Sequence, residues 1–154
     1  MQQTSPELPK WNVKDPDVLF ILDNPSLDQE SVNFLLSSLK EANFDSTKVC
    51  LTYVNRCPVK RKYTNQEVFN CSPYLHHEIQ LLNPKLIVTL GSSPLISLLG
   101  LDVKLKEYRG NLLWLGYWPI IPTYSPIYAI KNGQNLQDQF ISDIKSAYKH
   151  STKE

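Results

Sequence analysis

The sequence predicts an α/β fold, a parallel sheet covered by helices, and three observations carry that prediction. Short apolar runs (DVLFIL, VCLTYV, LIVTL and WPIIP) recur along the chain, longer amphipathic stretches lie between them, and the 154 residues suit one core. Strands covered by helices on both faces read as unbroken apolar runs, whereas a sheet with one wet face alternates apolar and polar positions. A chain of ~150 residues buries about two-thirds of its unfolded surface. A single domain over residues 17–150, after an extended segment 1–16, is therefore expected.

Residues 17–22 read as the first strand, which stops at Asp23-Asn24-Pro25. Ser26 offers an N-cap with Gln29 three residues on, so a helix over about 27–42 follows. Residues 49–54 form a second strand. Thr64 and Glu67 make another capping box for a short helix. Ser72-Pro73 starts a further helix through Leu82, since proline is tolerated only in a first turn. Residues 86–90 are the third strand, and Gly91-Ser92-Ser93-Pro94 leads into a helix that ends at Gly100. Residues 118–122 form a fourth strand, preceded by a hairpin-like LLWLG piece after Arg109-Gly110, and residues 134–149 close the fold as an amphipathic helix.

Composition narrows the classes. No apolar run approaches the roughly 18 residues of a membrane span, and the first residues, MQQTSPELPKWNVKDPD, hold no apolar stretch of an export signal. A cytoplasmic or nucleoid-associated protein, neither secreted nor membrane-bound, is expected, and its three cysteines are thiols or metal ligands rather than bridges. The net charge of +1 conceals segments of opposite sign: residues 1–45 carry −5, residues 46–66 carry +5, and the rest +1. Lys60, Arg61 and Lys62, beside Tyr53 and Tyr63, suit contact with phosphates, although a solvated loop has the same composition.

In such folds ligands bind at the carboxyl edge of the sheet, where strands end and helices begin. Three segments fall there: Asp23-Asn24-Pro25-Ser26, Gly91-Ser92-Ser93 and Thr123-Tyr124-Ser125-Pro126. Taken singly, each is also ordinary turn chemistry.

Taken in order, these pieces resemble the uracil-DNA glycosylase superfamily, most closely its iron–sulfur family 4 branch. VLFILDNPS stands where that branch has a strand followed by Gly-Glu-Ala-Pro-Gly, and VCLTYVNRCP stands for its strand with Thr-Asn-x-x-Lys-Cys. TNQEVFNCSPYLHHEIQLLNPKLIVTLGSSPLISLLG follows a long family stretch almost without gaps, and YRGNLLWLGYWPIIPTYSPIYAI matches the Arg-Gly turn and the closing Thr-Tyr-His-Pro motif. The resemblance implies a three-layer α/β/α sandwich around a four-stranded parallel sheet that binds DNA across its carboxyl edge and flips a nucleotide into a pocket.

Carried over, the resemblance places Asp23 on the family-4 Glu and Asn24 where another branch has its Asn, so both are candidates to orient the attacking water. The base-reading Asn falls on Tyr53, whose ring would fill space in the usual pocket, with Pro25 and Phe34 as its other walls. The leaving-group His falls on Ser125, which can donate a hydrogen bond but carries no positive charge. Ser26, Ser92, Ser93, Tyr124 and Pro126 are implied DNA-backbone contacts. Ile127 and Tyr128 are candidate wedges, where the superfamily presses an apolar side chain into the base stack. Trp114, Tyr117 and Trp118 are expected to fill the core or hold the Arg109-Gly110 turn.

Cys57 and Cys71 match one pair of cluster ligands, but the first pair has no counterpart in residues 1–17, and Cys50 lies inside a strand. A cubane needs about four thiolates, so the two matched cysteines read as relic ligands and no cluster or other cofactor is expected. His76 and His77 point different ways on a helix, which argues against a shared metal. Three functions follow: a glycosylase acting on uracil or another modified base; a non-catalytic module binding DNA or a replication or repair protein; and a decoy that occupies a partner's site.

Overall fold

A computed structural model describes residues 16–22, 29–44, 48–54, 72–100 and 104–151. Strands β1 (Val18–Leu22) and β3 (Leu86–Leu90) are buried at every position, as unbroken apolar runs require. With β2 (Val49–Tyr53), β4 (Leu113–Leu115) and β5 (Trp118–Thr123) they form one sheet in the order β2-β1-β3-β5-β4. The first four strands in that order are parallel. The LLWLG piece adds β4 as a fifth strand, antiparallel to β5. Its turn is Gly116-Tyr117, and Gly116 has φ 60, a region open to glycine.

Side-chain alternation splits the core into two layers. Val18, Phe20 and Leu22 face α1 (Gln29–Glu41) and α6 (Gln134–Ser151), meeting Leu35, Leu39, Phe140 and Ile144. Leu19 and Ile21 point the other way, toward Leu75 and Ile79 of α2 (Ser72–Leu82) and Ile96 and Leu98 of α3 (Ser92–Leu99). Each such side chain stabilises the fold by about 1.5–3 kcal/mol relative to exposure, so the three-layer α/β/α sandwich is set by the sheet's two apolar faces. Helix α2 ends where Asn83 turns to φ 48 and its N–H bonds the Ile79 carbonyl, just before Pro84. Among the described residues, no helix is long and apolar enough to cross a membrane.

Two short helices escape the hydrophobic pattern. These are α4 (Leu105–Tyr108) and α5 (Pro126–Lys131), too brief to show a helical period. The Ser26 cap and the helix expected after Thr64 lie outside the described residues. The expected core role holds for Trp118, which packs against the layer of Leu19 and Ile21, and needs correction for Trp114 and Tyr117. Trp114 and Tyr117 are 59% and 90% exposed, because among the described residues nothing packs outside the three-residue edge strand. Trp118 is half-buried, with its Nε1–H donating to Asn83 Oδ1 at 3.2 Å. The Arg109-Gly110 turn is held instead by Asp143 and by the Pro122 carbonyl, which accepts from the Gly110 N–H at 2.7 Å.

Candidate functional site

β3 and β5 are neighbours and finish together, with Leu90 in register with Thr123. The segments that leave them are therefore brought side by side at the carboxyl edge. Gly91 donates its N–H to the Thr123 carbonyl at 2.9 Å. It adopts φ 106, and a Cβ at this position would stand 3.3 Å from the Ser125 Cβ, so glycine lets the two turns touch. Between them opens a cavity of about 490 Å³ lined by Ser92, Ser93, Ser125 and Tyr128, with Lys104 and Lys106 on the side of α4.

Ser125 is the N-cap of α5: its Oγ accepts the Tyr128 backbone N–H at 3.1 Å. The acceptor side of the hydroxyl is thus engaged while its O–H can still donate. Pro126 is buried in the first turn of α5, where its missing N–H costs nothing. Tyr128 is half exposed and Ile127 is partly buried. Tyr124 is buried and held on three sides. The Arg109 guanidinium carbon lies 5.5 Å from its ring centroid, the Tyr128 ring is 5.4 Å away, and its hydroxyl donates to Gln139 Oε1 at 3.2 Å.

Beneath Tyr124 lies a polar knot. Arg109 donates from Nε to Asp143 Oδ2 at 3.1 Å and from Nη2 to Oδ1 at 2.9 Å, and the buried Thr123 hydroxyl donates to Oδ2 at 2.6 Å. This two-point pair ties α6 to the turn before β4 and to the last residue of β5. Burial pushes the Asp143 carboxyl above its ordinary range, against the opposing pull of the Thr123 hydrogen bond and the Arg109 charge.

Tyr53 ends β2 in register with Leu22, the residue before Asp23, and packs on the same core layer as Phe34. Burial raises its phenol pKa, so the ring is neutral at physiological pH. Phe34 stacks on Phe140 with ring centroids 5.1 Å apart. Neither lines the cavity between β3 and β5. Asp23, Asn24, Pro25, Ser26, Lys60, Arg61, Lys62, Cys57 and Cys71 lie outside the described residues. Three residues escaped the sequence reading: Lys104, Lys106 and Asp143. The signal for Asp143 was a carboxylate on the apolar stripe Phe140, Ile144 and Ala147 of α6, where an unpaired charge is costly.

Comparison with known proteins bears on this geometry. Residues 13–147 match the family model of the uracil DNA glycosylase superfamily. The chain is 29% identical over 154 residues to the type-4 uracil-DNA glycosylase of Thermotoga maritima, an alignment that covers 91% of this chain and 80% of that protein. It is 31% identical over 122 residues to the type-4 uracil-DNA glycosylase of Sulfurisphaera tokodaii, covering 72% of this chain and 55% of that one. The match thus spans about half the length of the second relative.

These matches overturn the expectation of a protein without a cofactor, because both relatives are type-4 uracil-DNA glycosylases, the branch to which the resemblance above assigns an iron–sulfur cluster. The described residues do not by themselves assemble a ligand set: no group of three or more His, Cys, Asp or Glu side chains converges among them. Cys50 is fully buried in β2, in register with Leu19. The two cysteines that match family ligands, Cys57 and Cys71, fall in residues 55–71, outside the described set.

The parallel strand order and the family match over residues 13–147 agree, and the chain belongs to the uracil-DNA glycosylase superfamily, on its type-4 side.

Proposed function

We propose that this protein binds DNA along the carboxyl edge of its sheet and excises uracil or another modified base by hydrolysing the N-glycosidic bond. The observation that supports this most is the convergence of the β3 and β5 turns on one cavity lined by three serine hydroxyls and two lysines. Hydroxyls and ammonium groups at a carboxyl edge suit a phosphodiester backbone.

In this reading Asp23 and Asn24 orient a water against C1′ of the flipped nucleotide. The water oxygen bonds to C1′, the C1′–N bond breaks with its electron pair leaving on the base, and the water's surplus proton passes to Asp23 or solvent. Ser125 donates its O–H toward the departing base, a weaker stabiliser than an imidazolium because it adds no charge. Tyr53, with Pro25 and Phe34, shapes the base pocket. Ser26, Ser92 and Ser93 hold the backbone, together with Lys60, Arg61 and Lys62, while the buried Tyr124 and Pro126 act on it only by fixing the Ser125 turn from behind, and Ile127 or Tyr128 fills the gap left by the flipped base.

The test is an excision panel: oligonucleotides carrying uracil or other modified bases, single- and double-stranded, incubated with protein and cleaved at abasic sites by alkali. Strand cleavage that disappears in the Asp23→Ala/Asn24→Ala double variant supports the reading, and no cleavage on any substrate sinks it.

The uncharged Ser125 and the bulk of Tyr53 favour one second reading, a non-catalytic module that binds DNA or a replication or repair protein. It expects salt-dependent DNA binding with no excision. Charge reversal at Lys60, Arg61 and Lys62 should weaken that binding.

A further inference from the structure

We infer that Lys104 and Lys106 form, with Ser92 and Ser93, a seat for a DNA phosphodiester on the α4 side of the cavity, apart from the Ser125 side. The inference rests on the DNA-acting reading above and assigns it a contact that the family motifs do not supply.

Three features of the structure converge here. Both lysines line the same cavity as Ser92 and Ser93, so ammonium and hydroxyl donors face one space. Leu105, between them, packs into the core layer of Phe140 and Ala129, which pins the segment and holds its two neighbours at the rim. Both lysines are exposed, and neither forms an ion pair with a described residue. The acid of the same turn, Glu107, does not line the cavity. A lysine held at a rim without a carboxylate partner keeps its charge available to a phosphate. The cavity also opens between the ends of β3 and β5, whereas β2, which Tyr53 ends, lies at the edge of the sheet with β1 between it and β3. That separation suits a phosphate beside the reacting nucleotide better than the base itself.

The experiment measures DNA affinity against salt for wild type, Lys104→Gln/Lys106→Gln and the control Lys85→Gln. Lys85 precedes β3, at the opposite end of the sheet, and pairs with Asp17 at 3.3 Å. The probes are a uracil-containing oligonucleotide and the same sequence without uracil. The double variant is expected to bind both probes about tenfold more weakly at ~50 mM salt, with the slope of log affinity against log salt shallower by about one to two, while Lys85→Gln matches wild type. If wild type binds with a salt slope that the double variant leaves unchanged, the seat is refuted and the DNA-acting reading stands. A wild type that binds neither probe ends both. Lower excision at saturating DNA with an unchanged slope would also overturn the seat, because the lysines would then act on the departing base.

Discussion

Gly91 presses against Ser125 so closely that a Cβ on the glycine would sit 3.3 Å from the serine Cβ. Gly91→Ala therefore meets two costs, the left-handed backbone at φ 106 and the contact itself, and is expected to destabilise the fold by about 1–3 kcal/mol in urea unfolding. Repeating the substitution in a Ser125→Gly background removes the contact and keeps the backbone cost. Equal losses in both backgrounds would show that the two turns do not press on each other.

Ser125 has a capping duty that can be separated from any role with DNA. Ser125→Ala should cost about 1 kcal/mol by loss of the N-cap, whereas Ser125→Asp keeps an acceptor for the Tyr128 N–H and should stay within about 0.5 kcal/mol of wild type. The same aspartate puts a negative charge beside Ser92 and Ser93, so DNA affinity should fall for Ser125→Asp more than for Ser125→Ala. Equal affinities for these two variants would place the DNA backbone elsewhere.

The Arg109–Asp143 pair predicts a pH dependence with a definite sign. Because its folded-state pKa is raised above 3.8, Asp143 holds a proton more tightly in the folded protein than in the unfolded chain. Its contribution to stability is full below about 3.8 and is lost as pH rises through the folded value. Arg109→Gln removes the counter-charge and raises that value further, so the loss should extend to higher pH. At neutral pH it should cost about 3 kcal/mol or more by stranding a buried carboxylate. Urea unfolding of both proteins between about pH 4 and pH 7 is the measurement. Parallel curves would refute the assignment.

Aromatic residues on opposite sides of the fold should behave oppositely. Tyr117→Ser, at a side chain 90% exposed, is expected to shift stability by no more than about 0.5 kcal/mol. Phe140→Ala, wholly buried against Phe34, should cost about 3–5 kcal/mol. A loss above about 1 kcal/mol for Tyr117→Ser would mean that the hairpin tip is packed after all.

The sheet was legible because strands under two helical layers leave unbroken apolar runs, and the boundaries of β3 and α2 follow directly from LIVTL and from Ser72 and Leu82. The short helices were not, since four or six residues hold too little periodicity and α5 depends on a single serine cap. Tryptophan and tyrosine near a strand do not reveal whether that strand is central or at the edge, so Trp114 and Tyr117 were misplaced. Of the candidate site, the serine turns were marked by their position after strands. Lys104 and Lys106 were invisible because local sequence says nothing of which rim an exposed lysine borders, and Asp143 meets Arg109 across 34 residues of chain.

β5 begins at the exposed Gly116-Tyr117 tip and ends at the cavity, so its six residues hold the two about 20 Å apart along one stiff strand. A dye or a surface linker attached through Tyr117 would therefore leave the serine-lined edge facing solution. Protein tethered there would present every copy in the same orientation, which suits single-molecule observation of DNA.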